Sequence, residues 1–431
     1  MREMKDSGIQ WLREYPANWN LIKIKYCLKE RVEKNNPVRT TDILSLTAKQ
    51  GVIPYDQKEG GGNKPKEDVS AYRLAYPGDI VMNSMNILSG SVGLSNYFGC
   101  VSPVYYMLRP IDKSEDVRFY NYIFQSTVFQ RSLYGLGNGI LIKESGNGKL
   151  NTIRMRIPID KFGGLFIPVA PIQEQKKIAD FLDAKCSEID ALIADIQTQI
   201  DTLEQYKRSV ITEAVTKGLN PDAEMKDSGI QWIGDIPAAW DISRGKYLLK
   251  YLQKPVKEDD GVITCFRDGE VTLRSNRRED GFTMSDKEIG YQGIDVGDLV
   301  VHGMDGFAGA IGISDSRGKA SPVLNVMDTK QNKRYIMYYL RSMAYSDVFV
   351  ALATGIRVRS CDLRWNKLAD LPYPVPNIEE QTAIVEYIDA TLEKTDVVIT
   401  EKKSQIETLD EYKKSLIYEY VTGKKEVPEN A

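Results

Sequence analysis

The sequence predicts an α/β protein in which two mixed α/β domains, in a pseudo-twofold arrangement, are separated by two long antiparallel helices forming a coiled coil. Two internal repeats support this prediction. Residues 4–19 (MKDSGIQWLREYPANW) and 225–240 (MKDSGIQWIGDIPAAW) are identical at eleven of sixteen positions, and residues 171–218 are echoed by residues 377–424. The stretches between the repeats differ in length and sequence. A repeated frame therefore carries two divergent inserts, and we expect the function to reside in the inserts.

Length and composition are those of an ordinary soluble protein with more than one domain. The chain has 431 residues, of which 42% are hydrophobic and 27% charged. The N-terminus lacks the apolar region of a signal peptide, and no apolar run approaches the ~20 residues of a membrane span. Dispersed cysteines predict reduced thiols in a cytoplasmic protein and argue against a zinc site. They are Cys27, Cys100, Cys186, Cys265 and Cys361.

Charge is divided unevenly along the chain, although the net charge is only −3. Residues 20–160 hold 19 Lys and Arg against 13 Asp and Glu, and residues 241–370 hold 20 against 18. The repeated segments are acidic, with 6 against 9 in residues 171–220 and 7 against 13 in residues 376–431. Unless imbalances of this size arise by chance, a polyphosphate partner would meet the inserts and be repelled by the frame.

Both copies of the second repeat predict a long helix. Apolar residues follow the 3-4 spacing of a coiled-coil seam, and the interiors contain neither Pro nor Gly. Pro171 and Pro376 mark the starts, and Gly218 and Gly423 mark the ends. A helix of ~45 residues with one apolar stripe is not stable alone, so the two copies should pack together, antiparallel. The alternative is two independent helices, each lying on its own domain.

The matched repeats also relate individual positions and the chain ends to one another. Lys207 and Lys413 fall at equivalent seam positions, where each would either snorkel out of the seam or mark a polar break in it. Because residues 1–19 match the linker that follows the first helix, the N-terminus should lie near the end of the second helix. Together the repeats divide the chain into seven parts. They are an N-terminal segment (1–19), the first domain (20–170), the central long helix (171–218), a linker (219–240), the second domain (241–376), the C-terminal long helix (377–424) and a tail (425–431).

The two inserts should share one mixed α/β fold. In each, a Gly-Asp turn precedes a short apolar strand, a second strand follows, and a helix comes before a Gly-rich loop. The widest divergence lies at 40–75 and 260–293. The matching elements are strands within 76–83 and 295–303, strands within 102–108 and 321–327, and helices within 118–133 and 334–352.

No complete catalytic or cofactor signature is present in the sequence. It contains neither a GxxxxGK[ST] phosphate loop nor a Gly-rich motif for S-adenosylmethionine. Residues 370–373 (DLPY) resemble a methyltransferase tetrapeptide but should form a turn into the second long helix. Residues 221–226 (PDAEMK) resemble a nuclease signature but lie in the linker. His302 is the only histidine, which excludes a His-pair metal site, and we expect it to be structural.

Cationic side chains in irregular parts of the inserts are the candidate DNA-binding residues. Arg can bridge guanine O6 and N7, and either cation can hold phosphate. The alternative is a solvated charged surface. The candidates are Lys58, Lys64, Lys66, Arg73, Lys143 and Lys149 in the first insert, and Arg274, Arg277, Arg278, Arg357 and Arg359 in the second.

The chain as a whole resembles the DNA-specificity (S) subunit of type I restriction–modification systems. The resemblance rests on the helix starts Ile172-Gln173-Glu174-Gln175 with Ile178 and Ile378-Glu379-Glu380-Gln381 with Ile384, each preceded by a short proline-bearing strand. It also rests on the Gly-containing loop TGIRVRSCDLRWNKLADLPYP, and above all on the duplicated order of variable domain and repeated helix.

This resemblance implies two target recognition domains, each reading one half of a bipartite asymmetric DNA site. It further implies a non-catalytic subunit that docks two methyltransferase (M) subunits, with restriction (R) subunits in the full complex. S-adenosylmethionine, ATP and Mg would then be bound only by the partner subunits, with no cofactor on this chain and no membrane contact. A duplicated enzyme lacks support from any motif. The remaining alternative is a coiled-coil scaffold that presents two protein-binding modules.

Overall fold

The computed structural model of the chain describes residues 2–47, 50–58, 65–137, 143–144, 150–151, 156–277, 289–352 and 363–429. The chain divides into two compact units. Unit 1 comprises Met1–Asp195 with Ser404–Ala431, and unit 2 comprises Ile196–Lys403. Each unit therefore contains one insert together with part of each long helix.

Unit 1 is a mixed α/β structure built from short elements and the ends of two long helices. Its strands are β1 (Met4–Asp6), β2 (Glu14–Pro16), β3 (Asn20–Lys23), β4 (Leu28–Glu30), β5 (Leu44–Thr47), β6 (Gly51–Pro54), β7 (Arg73–Ala75), β8 (Ile80–Asn83), β9 (Val92–Leu94), β10 (Gly99–Val101), β11 (Tyr105–Pro110), β12 (Lys143–Glu144), β13 (Leu150–Asn151) and β14 (Phe166–Val169). Its short helices are α1 (Ile24–Cys27), α2 (Val117–Gln125), α3 (Thr127–Ser132) and α4 (Ile159–Gly163). The first long helix, α5, runs from Ile172 to Lys217.

Unit 2 repeats this composition. Its strands are β15 (Met225–Asp227), β16 (Asp235–Pro237), β17 (Asp241–Arg244), β18 (Leu249–Tyr251), β19 (Ile263–Cys265), β20 (Val271–Leu273), β21 (Gln292–Ile294), β22 (Leu299–His302), β23 (Ile311–Ile313), β24 (Gly318–Ala320), β25 (Leu324–Thr329) and β26 (Pro372–Val375). Its short helices are α6 (Gly245–Leu248), α7 (Lys333–Tyr345), α8 (Val348–Ala351) and α9 (Trp365–Asp370). The second long helix, α10, runs from Ile378 to Val421.

The two inserts share one strand topology. An antiparallel sheet of order β4-β11-β8-β9 in unit 1 corresponds to β18-β25-β22-β23 in unit 2. Each unit also pairs the strand that leaves the first repeat with the proline-bearing strand before a long helix, β3 with β14 and β17 with β26. These pairings bring the end of each insert back beside its own start, immediately before a long helix begins. The mixed α/β fold predicted for both inserts is therefore confirmed.

The predicted Gly-Asp turn is held by a buried carboxylate in both units. Asp79 accepts hydrogen bonds from the backbone of Tyr76 at 3.1 Å and from Arg31 Nε at 2.8 Å. Asp298 occupies the same place in unit 2, where the cation is Lys254, with Nζ 2.7 Å from Oδ2. A buried carboxylate needs such partners because ionised groups are costly to desolvate. The turn is thus retained while its cation differs.

The helix predicted within 118–133 is interrupted, and so is the one predicted within 334–352. Ser126 has extended backbone between α2 and α3. Asp347 has a positive φ of 55° between α7 and α8. Both interruptions keep the amphipathic pattern, because the apolar residues on either side remain buried. Periodicity alone therefore could not distinguish one bent pair of helices from a single helix.

Within each unit the two long helices run antiparallel, as predicted. In unit 1 the rings of Phe181 and Tyr420 lie 4.6 Å apart, and Lys413 Nζ lies 2.6 Å from Asp190 Oδ1. In unit 2 the equivalent lysine, Lys207, pairs with Asp396. Each seam lysine therefore forms an ion pair with the facing helix. It neither extends unpaired into solvent nor interrupts the seam.

The ends of the long helices have the predicted stop signals. Gly218 and Gly423 adopt positive φ values of 73° and 68°, the left-handed conformation that ends a helix and favours glycine. The N-terminal residues lie beside the end of α10, since Arg2 Nε is 2.8 Å from Glu426 Oε1. Tyr418 Oη also donates to the carbonyl of Trp11 at 3.1 Å. The prediction that the N-terminus lies near the end of the second helix is confirmed.

Each unit has an aromatic core that includes residues of both long helices. In unit 1 the largest fully buried aromatic side chains belong to one cluster with the tryptophan of the first repeat, and in unit 2 they belong to one cluster with its counterpart. These side chains are Trp19, Phe119, Tyr120, Phe124, Phe129 and Phe162 in unit 1, and Trp240, Tyr335, Tyr339, Phe349 and Tyr373 in unit 2. The repeat is therefore retained because it forms part of the core that joins each insert to the helices.

Candidate nucleic-acid interface

A cavity of about 600 Å³ opens in unit 2 beside the hairpin β19–β20. The alternation of this hairpin buries Ile263, Cys265 and Val271. The polar and cationic side chains of the hairpin and its flanking turns border the cavity, together with Ile263 and Cys265. The cavity is lined by Val262, Ile263, Thr264, Cys265, Phe266, Arg267, Asp268, Arg274, Arg277, Tyr291, His302, Asp305, Ser321 and Leu324.

Arg277 is held in one orientation at this cavity. Its guanidinium carbon lies 4.2 Å from the centre of the Phe266 ring, and Nη1 lies 3.2 Å from Glu270 Oε2. It also forms a two-point ion pair with Asp268, which raises the pKa of Arg277. A guanidinium fixed by stacking and ion pairing loses little conformational freedom when it makes a further contact.

Two further arginines of the cavity also contact neighbouring polar groups. Arg267 Nη2 lies 2.9 Å from Asp305 Oδ1. Arg274 Nε lies 3.5 Å from Thr264 Oγ1. Three guanidinium groups therefore border one cavity together with aromatic rings, which is a combination suited to phosphate and base contacts.

His302 has a structural role at the edge of the same cavity. Its Nδ1 accepts hydrogen bonds from the backbone N–H groups of Met304 at 3.2 Å and Asp305 at 3.0 Å. A nitrogen that accepts carries no proton, so the neutral ring has its proton on Nε2. Burial lowers the pKa of His302 and so favours this neutral form.

The corresponding position in unit 1 carries a different side chain with the same local task. Asn83 ends β8 as His302 ends β22, and its Oδ1 accepts from the backbone N–H of Met85 at 3.0 Å. The turn is preserved, but the imidazole is replaced by an amide. The two equivalent turns therefore differ in hydrogen-bonding character.

The candidate cations of the first insert are placed less uniformly. Lys58 follows the short turn after β6, with Nζ 5.9 Å from the Tyr55 ring, and Lys66 is exposed. Arg73 instead pairs with Glu30 and donates to the carbonyl of Tyr105 at 3.3 Å, with 19% of its side chain exposed. Arg73 thus contributes to packing within unit 1, and a DNA contact would compete with its ion pair.

The other predicted candidates lie at or beyond the limits of the described residues. Lys143 belongs to β12, opposite Asn151. Lys64, Lys149, Arg278, Arg357 and Arg359 lie outside the described residues. Of the predicted set, the structure therefore brings Arg274 and Arg277 together on one cavity. Sequence reasoning missed Phe266, Arg267 and Tyr291, although the adjacent aromatic and basic pair at 266–267 was a usable signal.

The two enzyme-like motifs have structural explanations. Tyr373 is fully buried, donates to the carbonyl of Leu368 at 3.3 Å, and has a pKa held well above its usual value by burial. Lys226 Nζ donates to the carbonyl of Ala238 at 2.8 Å, which closes the repeated hairpin β15–β16. Within the described ranges, no group of three or more His, Cys, Asp or Glu side chains is arranged to hold a metal ion. None of the described helices has the length and apolar character needed to cross a membrane.

Known proteins share both the sequence and the architecture of this chain. No protein-family model matches the chain. The MjaVIII specificity subunit of a type I restriction enzyme from Methanocaldococcus jannaschii is 26% identical over 285 residues, which cover 62% of this chain and 64% of that protein. A putative type I restriction enzyme MjaX specificity subunit from the same organism is 26% identical over 272 residues, covering 60% of this chain and 59% of the relative. Both of these curated relatives of the chain are type I restriction enzyme specificity subunits. The resemblance predicted from the sequence is confirmed, over 64% of one relative's length and 59% of the other's.

The fold is also similar to that of a solved structure. That structure is described as the structural basis underlying complex assembly and conformational transition of the type I R-M system. The TM-score is 0.66 at 12% identity, and the similarity covers 95% of this chain and 99% of the other. This likeness agrees with the predicted combination of two mixed α/β units and long helices.

The helix-start motif that carries the specificity-subunit resemblance has a physical explanation. Gln175 is fully buried; its Nε2 donates to the carbonyl of Ala170 at 2.9 Å and its Oε1 accepts from the backbone of Asp116 at 3.0 Å. Gln381 does the same in unit 2, with Pro376 at 2.8 Å and Asn332 at 2.9 Å. One amide in each unit therefore joins a long helix to the first turn of the insert's main helix.

Proposed function

We propose that this chain is the DNA-specificity subunit of a type I restriction–modification system, in which each unit reads one half of a bipartite asymmetric DNA site. The observation that carries the proposal is one fold repeated on matched helices with different side chains at equivalent surfaces. The cations that follow equivalent hairpins are one such difference, since β19–β20 of unit 2 is followed by Arg274 and Arg277, and β5–β6 of unit 1 by Lys58. Two readers of unequal half-sites require this combination, because the scaffold is shared and the bases are not.

The cavity of unit 2 supports sequence-specific contact. Arg277 is stacked on Phe266 and oriented by Asp268, and a planar acceptor such as the guanine edge would take the place of the Asp268 carboxylate at its fork. Arg267 and Arg274 supply further cations within the same cavity. Phosphate contacts from such residues would position the duplex, and base contacts would select its sequence.

We propose that the long helices dock two methyltransferase subunits. Large apolar side chains are exposed at equivalent helix positions in both units, so a partner that docks on one unit would meet the same side chains on the other. In unit 1 they are Ile172, Leu192 and Tyr412, and in unit 2 they are Ile378, Val398 and Tyr206. Two equal sets fit two copies of one partner. Methyl transfer, ATP hydrolysis and cleavage would then belong to methyltransferase and restriction subunits, with this chain acting without chemistry of its own.

Methylome sequencing tests this proposal directly. The chain is co-expressed with the methyltransferase subunit of its own system in a strain free of other adenine methylation. We expect modification at a single motif of two defined half-sites separated by an undefined spacer, and no methylation when either protein is produced alone. Methyl transfer by the purified chain alone would refute the non-catalytic role. A stable complex with no modified motif would instead favour the scaffold that presents two protein-binding modules.

Arg277 provides a sharper test of the reading role. Arg277→Ala should weaken specific binding by about 1–3 kcal/mol and relax preference in one half-site only. Arg277→Lys is the matched control, because it keeps the charge and removes the two-point fork. If both variants bind the specific site more weakly, Arg277 contacts a base. If Arg277→Lys restores binding, and Arg277→Ala weakens binding to all sequences equally, Arg277 contacts a phosphate.

A further inference from the structure

A short exposed group recurs in both units at equivalent places. The segments 20–30 and 241–251 are identical at four of eleven positions. One of these is a buried leucine, Leu28 in unit 1 and Leu249 in unit 2. The other three are exposed, and we call each set a Lys-Tyr-Lys group. The groups are Lys25, Tyr26 and Lys29 in unit 1, and Lys246, Tyr247 and Lys250 in unit 2.

We infer that these two Lys-Tyr-Lys groups hold the phosphate backbone of duplex DNA, one group for each half-site. The inference rests on the proposed function and adds residues to it that differ from those of the cavity. Base-reading surfaces must diverge between unequal half-sites, whereas the sugar-phosphate backbone is the same at both. A DNA contact that carries no sequence information is therefore the one that can stay identical in both units.

The geometry of each group leaves its charge available. Tyr26 is 66% exposed and Tyr247 is 76% exposed, although tyrosine normally buries much of its ring. Lys25 Nζ lies 5.1 Å from the Tyr26 ring, and Lys246 Nζ lies 5.2 Å from the Tyr247 ring. In both units the tyrosine ring therefore lies beside the ammonium group of the preceding lysine.

Within the part of the chain that the structure describes, neither group has an internal partner that would explain its retention. Among the described residues, no carboxylate forms an ion pair with any of the four lysines, and neither tyrosine hydroxyl forms a hydrogen bond. Arg118 and its counterpart Arg334, by contrast, are paired, since Arg118 contacts Asp183 and Arg334 contacts Asp389. Retention of the paired cations follows from folding. Retention of the unpaired ones calls for an external anion.

Across the sheet, each group faces either a further cation or a carboxylate that is already paired. In unit 1, Lys29 of β4 lies opposite Arg109 of β11, which adds a third cation. In unit 2, Lys250 lies opposite Asp328, whose carboxylate is taken by Lys333 at 2.8 Å. The carboxylate of Asp328 is therefore already paired with a lysine outside the group.

The group of unit 2 is also connected to the cavity through a short path. A Cβ on Gly245, the residue before Lys246, would lie 2.3 Å from the carbonyl of Leu368 in α9, so α6 packs directly on α9. Leu363, just before α9, donates its backbone N–H to the carbonyl of Gly303 at 2.9 Å, next to His302. The rigid elements that carry the cavity therefore also position this group.

Salt dependence of DNA binding tests the inference. The probe is a labelled duplex of random sequence, long enough to cover both half-sites, titrated with the full chain at several salt concentrations. Removing one phosphate-binding lysine should reduce the slope of log K against log salt by about 0.9. Lys25→Ala with Lys29→Ala should therefore reduce it by about 1.8, and Lys246→Ala with Lys250→Ala by the same amount. The methylated half-site sequences should not change.

Lys176→Ala with Lys177→Ala is the matched control, since it removes two exposed lysines from α5 in the acidic frame. We expect its slope to equal that of the unmodified chain. An unchanged slope in both Lys-Tyr-Lys variants, with unchanged unfolding midpoints, would overturn the inference. Intact DNA binding without methyltransferase assembly would overturn it too, and would assign the groups to a protein partner. Failure of the unmodified chain to bind any duplex, alone or with its methyltransferase, would instead refute the proposed function itself.

Discussion

Mild acid should destabilise unit 2 through His302. In the folded chain Nδ1 accepts two backbone hydrogen bonds, so protonation there removes both and adds charge to a largely buried ring. Burial lowers the pKa of His302 below its unfolded value of about 6.5. The neutral ring therefore adds stability that is present above the unfolded pKa and is lost as pH falls through the folded pKa. Across that window the free energy of unfolding should fall by at most about 1.4 kcal/mol per pH unit.

The other unit suggests the matched variant. Asn83 performs the same capping task with Oδ1, 3.0 Å from the Met85 nitrogen, and an amide does not titrate. His302→Asn should therefore keep the turn and remove the acid sensitivity. Urea unfolding followed by tryptophan fluorescence at about pH 7.5 and about pH 5.5 compares the two proteins, and their common carboxylates cancel in the difference. Because His302 is the only histidine, equal pH dependence in both proteins would refute the reasoning.

Two further predictions concern the long helices. Gln175→Leu leaves the Asp116 N–H and the Ala170 carbonyl without partners, which should lower the free energy of unfolding by about 2–5 kcal/mol, whereas the exposed Gln173→Leu should change it by under about 0.5 kcal/mol in urea denaturation. Equal effects would show that the buried amide does not join helix and insert. Inserting one heptad after Gln199 and one after Gln405 should lengthen the helices by ~10 Å, the length of about three base pairs. Methylome analysis should then show the same half-sites with a longer spacer, and an active variant with its original spacer would show that the helices do not set this distance.

Features encoded in local sequence patterns were predictable. The long helices follow from a sustained 3-4 apolar spacing between proline and glycine signals, and such a pattern depends only on nearby residues. Their pairing followed from the instability of a single-striped helix in water, and the antiparallel orientation from the whole insert that the chain passes through between them. The breaks at Ser126 and Asp347 were not predictable, because the buried face continues across both.

The candidate interface shows where local patterns stop being informative. Arg274 and Arg277 were expected to act together because they are neighbours in sequence, and they do line one cavity. Arg73 was expected on the same grounds, yet it pairs with Glu30, forty-three positions away, which no local pattern reveals. Comparing the two inserts position by position would have found the Lys-Tyr-Lys groups. Their exposure, which distinguishes a surface residue from a core residue, required the structure.

The sequence by itself determined the repeated frame, the two long helices, the mixed α/β character of the inserts and the likeness to type I specificity subunits. Each of these depends on composition, period or duplication, which are properties of residues near one another in the chain. Only the tertiary structure decided which side chains share a surface and which cations are already paired. Phe266, Tyr291 and His302 border one cavity because strands distant in sequence meet there. Lys207 reaches Asp396, nearly two hundred positions away, because the helices pack antiparallel, and the energy of such an ion pair depends on distances that the chain sets only by folding.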